Sequence, residues 1–447
     1  MKNKIKIYLL IFTVLLTIGA TAQNQATEFS LEEAQQYAMK NSFILQNSNM
    51  DITSAQKKVW ETITMGLPQV TGSANYNAFL NIPVSLLPGE IFGGEPGSYI
   101  PVKFGQDYNS DYGISVSQLL FDGSYIVGIG SSKLYLNMAK QSHEKNEIDI
   151  RDAVAQAYYY VLIGKENKKV MEENLVNTEK LYEETVAYFD NGFREEQDVD
   201  QMKLLVKNAE NEILKAEREI KISKVVLKYS MGFDMETEVD LTDDLDNFLN
   251  PLIVGTSNDQ LDISNHIDYR MSVSNYLASE KLLNLEKAAF LPSLSAFYSY
   301  SKTAYGNQHN LFKSSVSWFP SSLVGLQLSV PIFSSGKRIS KVKQAQIELD
   351  KANNLKLLTE QTLQKDYLTA QANFESAIEK YDNDTENREL AEKIKNKAKI
   401  KFQNGISSST ELSQLETQYI QAYGSYIGSA LQLLQADLSL KKAKGKL

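Results

Sequence analysis

The chain has 447 residues, a formal net charge of −9 and no cysteine. Without thiols it has no disulfides, no thiol catalysis, no Cys-ligated metals and no lipid attachment through an N-terminal cysteine. Its acidic balance argues against a nucleic acid partner, because that interaction requires a basic face.

Lys2, Lys4 and Lys6 precede an apolar run from Ile7 to Ile18 and the small residues Ala20-Thr21-Ala22. A basic start, a short apolar core and a small-residue site predict a cleaved secretory signal over residues 1–22. Cleavage would take the formal charge from −9 to −12, since three lysines leave with the segment. The apolar run is short of the roughly 18 residues that a spanning helix needs, and no later stretch reaches that length. If the chain crosses a membrane, strands must carry it.

Ser30 followed three residues later by Glu33 has the form of a capping box and predicts a helix start. Beyond it, the nine prolines punctuate the chain: none occurs from Val102 to Asn250, and none after Pro331. Proline breaks helix interiors, so these stretches, rich in Ala, Leu, Glu, Lys and Gln, predict long helices. One is expected from about Ser124 to Phe189 and spans roughly 100 Å at about 1.5 Å per residue. A second is expected from Lys337 to Phe402.

Between the helices, Val70, Ala74 and Tyr76 alternate with Gln69, Thr71, Ser73, Asn75 and Asn77, and Ile114, Val116 and Leu120 with Gly113, Ser115 and Ser117. Leu294, Ala296, Tyr298 and Tyr300 alternate with small polar residues, as do Leu326, Leu328, Val330 and Ile332. This period of two predicts four strands with a lipid-facing side and a wet side. A soluble two-layer sheet has the same alternation. Export, flanking tyrosines with Trp318, and the scarcity of charge favour the membrane reading.

The pattern occurs twice. Leu67-Pro68 answers Leu291-Pro292, Gly113 to Phe121 answers Gly325 to Phe333, and Phe189-Asp190-Asn191-Gly192 answers Phe402-Gln403-Asn404-Gly405. The last pair is offset by 213 positions. After the first turn Val199, Met202, Val206, Ala209, Ile213, Ala216, Ile220, Ser223 and Leu227 alternate spacings of three and four. At the same offset stand Leu412, Leu415, Tyr419, Ala422, Tyr426, Ser429, Leu433, Ala436 and Leu440, a second coiled-coil seam. The chain therefore divides into a signal segment, 1–22, a first structural repeat, 23–250, and a second, 251–447. Asn-Gly supplies residues that tolerate the left-handed conformation at a helix C-terminus.

Four strands cannot enclose a lumen, since the smallest spanning barrels use about eight. Open edges are not tolerated in lipid, so copies of the chain must pool their strands; two, three or four copies satisfy this.

The opening Ser30-Leu31-Glu32-Glu33-Ala34 with Ala38 and Asn41, the Leu-Pro entries to the strands and the doubled Phe-x-Asn-Gly turns resemble the TolC-type outer-membrane efflux and secretion channel family, from about Phe29 to the C-terminus. The resemblance implies a mainly α fold with a transmembrane β-barrel portion. In it, long coiled-coil helices form an α-barrel, and a homotrimer with four strands per copy forms a 12-stranded barrel in outer-membrane lipid. It implies that Phe189, Asn191, Gly192, Phe402, Asn404 and Gly405 mark the periplasmic tips, near the docking surface for a periplasmic adaptor and an inner-membrane pump. Loops near 85–106 and 306–316 would face outside the cell, and the acidic stretch Asp234 to Asp246 would lie in the equatorial region. Family channels narrow their entrance with acids just past the second turn. Here Glu411 fits such a position, Asp198 is its first-half equivalent, and Gln414 stands where some members carry a second acid.

The expected function is the outer-membrane exit duct of a tripartite efflux or type I secretion system, passive and without a cofactor. The alternative is a periplasmic coiled-coil adaptor or scaffold. An enzyme is not expected: His143, His266 and His309 lack metal-ligand spacing, and neither a phosphate loop nor a nucleophile motif stands out.

Overall fold

The structure, a computed structural model, describes residues 27–254 and 261–447; the expected signal segment 1–22 lies outside them. In chain order the elements are β1 (Thr27–Phe29), α1 (Leu31–Asn41), α2 (Phe43–Thr64), β2 (Gln69–Ala78), β3 (Val84–Pro88), β4 (Tyr99–Lys103), β5 (Tyr108–Asp122) and α3 (Gly123–Asp190). There follow α4 (Glu196–Met231), β6 (Val239–Leu241), α5 (Asp246–Val254), α6 (Ile267–Ala288), β7 (Ser293–Gly306), β8 (Phe319–Ser329), α7 (Lys337–Gln403) and α8 (Ser409–Ala443). A helix, a strand pair, a long helix, a tight turn and a further helix recur as α2 to α4 and as α6 to α8.

The chain forms two compact units. The first comprises residues up to Asp51, Ala139–Ser272 and Leu355–Leu447. Its core gathers Val154, Tyr158 and Val161 of α3, Leu227 and Met231 of α4, and Leu433 and Leu434 of α8. Every residue of the two predicted seams is buried or half-buried, as coiled-coil packing requires. Helix α8 buries a wider stripe that adds Tyr423, Ile427, Ala430 and Leu438.

At the start of this unit Ser30 and Glu33 form the expected capping box. The Ser30 N–H donates to Glu33 Oε2 at 2.8 Å and the Glu33 N–H donates to Ser30 Oγ at 3.3 Å. Strand β1 pairs parallel with β6, joining Thr27 to Val239 and Phe29 to Leu241. Strands of three residues so far apart in sequence carry too little pattern to be read in advance. The buried Tyr158 hydroxyl donates to the Phe29 carbonyl at 3.0 Å and to Asp243 at 2.8 Å.

Lysines from outside the acidic stretch hold it in place. Lys165 lies 3.1 Å and Lys224 3.4 Å from Asp240. Buried Lys228 donates to the carbonyls of Met235 at 3.0 Å and Thr237 at 2.9 Å, so its charge is solvated by main chain.

The second unit comprises Ile52–Met138 and Val273–Asn354. It contains a four-stranded antiparallel sheet in the order β2-β5-β7-β8. Central strands β5 and β7 approach closely at Gly113, where a Cβ would collide with the Tyr300 carbonyl and the Ser301 backbone. Among the described residues, the outer strands β2 and β8 each leave one edge unpaired. Pro320 is tolerated in β8 because an edge strand need not donate on both sides.

Two expectations for this unit are corrected. The fourth strand ends at Ser329 rather than continuing to Ile332, because Pro331 has no N–H to extend the ladder. Residues 85–106 contain more than loop: β3 and β4 pair as a hairpin from Val84↔Lys103 to Pro88↔Tyr99. Three prolines obscured this hairpin in the sequence, but a two-stranded ribbon has outer edges where they fit. No helix among the described residues is long and apolar enough to cross a membrane.

Candidate functional site: the paired helix turns

Helix α3 ends where Gly192 adopts φ 79° and α7 where Gly405 adopts φ 75°, both in the left-handed region that favours glycine. A Cβ at either position would meet open space, so backbone conformation and not crowding calls for glycine. The Gly192 N–H donates to the Phe189 carbonyl at 2.8 Å, and Phe193 N–H to Tyr188 at 2.9 Å. In the second turn Gly405 N–H donates to Phe402 at 3.0 Å and Ile406 N–H to Lys401 at 2.9 Å. Each asparagine caps its own helix: the Asn191 side-chain amide donates to Ala187 O at 2.7 Å and that of Asn404 to Ile400 O at 2.8 Å. The two turns are built alike down to individual hydrogen bonds.

Their phenylalanines differ. Phe189 is 40% exposed, whereas Phe402 is 3% exposed within a cluster of Leu181, Met202, Ala398 and Leu412. That cluster draws one or more side chains from each of α3, α4, α7 and α8. Lys399 donates to Asn177 Oδ1 at 3.3 Å and Gln403 to Glu184 at 2.8 Å, adding polar ties between α7 and α3.

Arg194, absent from the sequence expectation, accounts for the difference. Its guanidinium lies 4.1 Å from the centre of the Phe402 ring and donates to the Phe402 carbonyl. The same side chain, 12% exposed, faces Asp198 at 3.7 Å, and Asp198 is 17% exposed. The position that answers Arg194 in the second repeat is Ser407, so the departure from the repeat was the available signal.

The three expected entrance residues therefore stand in different settings. Asp198 is shielded and paired with Arg194. Glu411 is exposed, accepts from the Ser407 hydroxyl at 2.7 Å, and its N–H donates to the N-cap Ser408 at 3.1 Å. Gln414 is exposed on the first turns of α8. Among the described residues no group of His, Cys, Asp and Glu side chains is placed to hold a metal.

Comparison with known proteins agrees with this architecture. The outer membrane efflux protein family matches residues 34–232 and 264–446. The chain is similar in structure to CusC, with TM-score 0.75 and 16% identity over 95% of each chain. It is also similar to the outer membrane protein VceC from Vibrio cholerae (TM-score 0.69, 15% identity, 93% of this chain and 96% of that one). For the CmeC outer membrane channel of Campylobacter jejuni the TM-score is 0.72 at 16% identity, over 96% and 91%. No curated protein sequence matches the chain. At such identities the structural likeness speaks for the fold.

Proposed function

The chain belongs to the outer membrane efflux protein family, and on that premise we propose that it is the passive, trimeric exit duct of a tripartite export system. The observation that carries the proposal is the sheet β2-β5-β7-β8 with its two unpaired edges. Val70 on β2 and Leu323, Val324, Leu326 and Leu328 on β8 are all exposed. Exposed apolar side chains are untenable in water but suit lipid, where open backbone edges are in turn untenable unless other copies pair with them. Three copies contribute twelve strands, and the helices continue the conduit into the periplasm. A periplasmic scaffold has no use for such a sheet.

In this reading the paired turns form the periplasmic end and dock an adaptor, which couples the duct to an inner-membrane pump. The exposed parts, Phe189, Asn191, Gly192, Asn404 and Gly405, supply the docking surface. Phe402, being buried, shapes that surface from beneath. Asp198, Glu411 and Gln414 line the entrance, where a ring of carboxylates from Glu411 favours cations over anions. The energy for export comes from the pump, and the duct contributes a closable path.

Single-channel recording tests the proposal. Purified protein in a planar bilayer is expected to give discrete conductance steps. Insertion without any conductance, at rest and with adaptor added, would refute the duct.

A further inference from the structure

The two long helices carry opposite charge over their last turns. Residues 172–190 of α3 contain six acidic side chains and one lysine, whereas the equivalent residues 385–403 of α7 contain three acidic and six basic ones. Glu179, Glu183 and Asp190 are exposed on α3, as are Lys393, Lys397 and Lys401 on α7. Their spacings, four and seven on α3 and four and four on α7, keep each set on one side of its helix. None of the six takes part in an ion pair within 4.0 Å among the described residues. At the repeat offset of 213, Glu179 and Glu183 stand one residue from the levels of Lys393 and Lys397, and Asp190 two from that of Lys401.

Contacts between the helices show which way these sides face. Lys399 reaches Asn177 at 3.3 Å and Gln403 reaches Glu184 at 2.8 Å, which marks where α7 and α3 of one chain meet. Lys397 and Lys401 each stand two residues before Lys399 and Gln403, about 200° round the helix at roughly 100° per residue. Glu179 stands two residues past Asn177, the same turn round α3. The basic side of α7 and the acidic side of α3 therefore face away from each other and cannot pair within one chain. Apolar residues share both sides. Leu390 and Ile394, 56% and 36% exposed, lie beside Lys397, and half-buried Leu175 and Val186 lie beside Glu179. Apolar positions flanked by charge are what a helix presents to a partner helix.

A second copy of this chain brings the missing charge, at the matching height, to both sides at once. A foreign partner of one sign would cover one side and leave the other bare. Contact between unlike faces of identical chains is heterologous and repeats from copy to copy until a ring closes.

We propose that the basic side of α7 docks on the acidic side of α3 in the next copy, with Lys393 opposite Glu179, Lys397 opposite Glu183 and Lys401 opposite Asp190. Exposed ion pairs add little to stability, so these charges act on the rate and direction of assembly. The proposal rests on the reading of the chain as a self-assembling duct and names a contact that closes it.

Cross-linking tests the contact. Glu183→Cys combined with Lys397→Cys, oxidised in isolated outer membranes, is expected to give a covalent trimer on a non-reducing gel. Monomer alone from this pair, where thiols on the edges of β2 and β8 still link trimers, would overturn the contact and leave the duct standing. No linkage at either place would overturn both. Charge reversal tests the steering independently. Lys393→Glu/Lys397→Glu/Lys401→Glu and, separately, Glu179→Lys/Glu183→Lys/Asp190→Lys are each expected to slow trimer formation from unfolded chain in detergent about tenfold at low salt. The two sets combined in one chain are complementary again and should recover most of the natural rate. Rates unchanged by either set, or not recovered in the combined variant, would overturn the proposal.

Discussion

Arg194, just past the first helix turn, lays its guanidinium 4.1 Å from the centre of the Phe402 ring at the end of the second long helix. It also donates to the main-chain carbonyl of that residue. One side chain thus ties the two halves of the duplicated chain at their turns.

Removing that tie should loosen the turns without unfolding the protein. Stacking and one charge-assisted hydrogen bond are together worth about 1–2 kcal/mol. Arg194→Ala should therefore raise hydrogen exchange across residues 398–412 by about tenfold, with little change in Tm. Arg194→Lys keeps the charge but loses the planar fork, and should restore only part of the protection. Unchanged exchange in Arg194→Ala would remove the latch from the account.

The unequal phenylalanines give a second expectation. Phe402→Ala empties a packed cluster and should cost about 3 kcal/mol, whereas Phe189→Ala, at an exposed position, should cost under about 1 kcal/mol. Denaturant unfolding of the two variants side by side measures the difference. Equal losses would mean that the repeat is symmetric at its tips.

The contrast marks the limit of what sequence shows. Long helices, four strands and both Asn-Gly turns were legible because proline placement, alternation and the recurrence at offset 213 are local or periodic signals. The seam from Val199 to Leu227 was readable for the same reason. The burial of Phe402 was not, because it depends on Arg194, 208 residues away. The β1–β6 pair joins two three-residue strands across most of the first half, and the β3–β4 hairpin was hidden behind Pro88, Pro96 and Pro101.

Glu411 has both a structural and an electrostatic setting, and one substitution separates them. Glu411→Gln keeps an acceptor for the Ser407 hydroxyl while removing the charge. If Glu411 rings the entrance, reversal potentials in a salt gradient should shift away from cation preference at unchanged thermal stability. An unshifted reversal potential would reduce Glu411 to a helix-capping residue.

Asp240 sets an acid limit on the β1–β6 region. Burial works against its charge, but Lys165, the Leu241 N–H and Lys224 outweigh it and hold the carboxyl below its ordinary value of 3.8. A depressed folded-state pKa stabilises fully above that value, and the stabilisation is lost as pH falls through the folded-state pKa. Because the side chain is over a third exposed, the contribution is about 1 kcal/mol or less. Asp240→Asn should lower Tm by about one degree or less at neutral pH and flatten the acid limb of the Tm profile below the ordinary carboxylate value. An identical limb in the variant would assign acid sensitivity elsewhere.

Whether the open sheet is completed by other copies is tested most directly at its edges. The chain has no native cysteine, so each introduced thiol is unique. Ser73→Cys on β2 is combined in turn with Ser321→Cys, Leu323→Cys or Gln327→Cys on β8, and the protein is oxidised in isolated outer membranes. At least one pair should convert the monomer to a covalent trimer on a non-reducing gel, with no larger species. Monomer alone for every pair, or an open-ended ladder, would contradict a closed trimeric barrel.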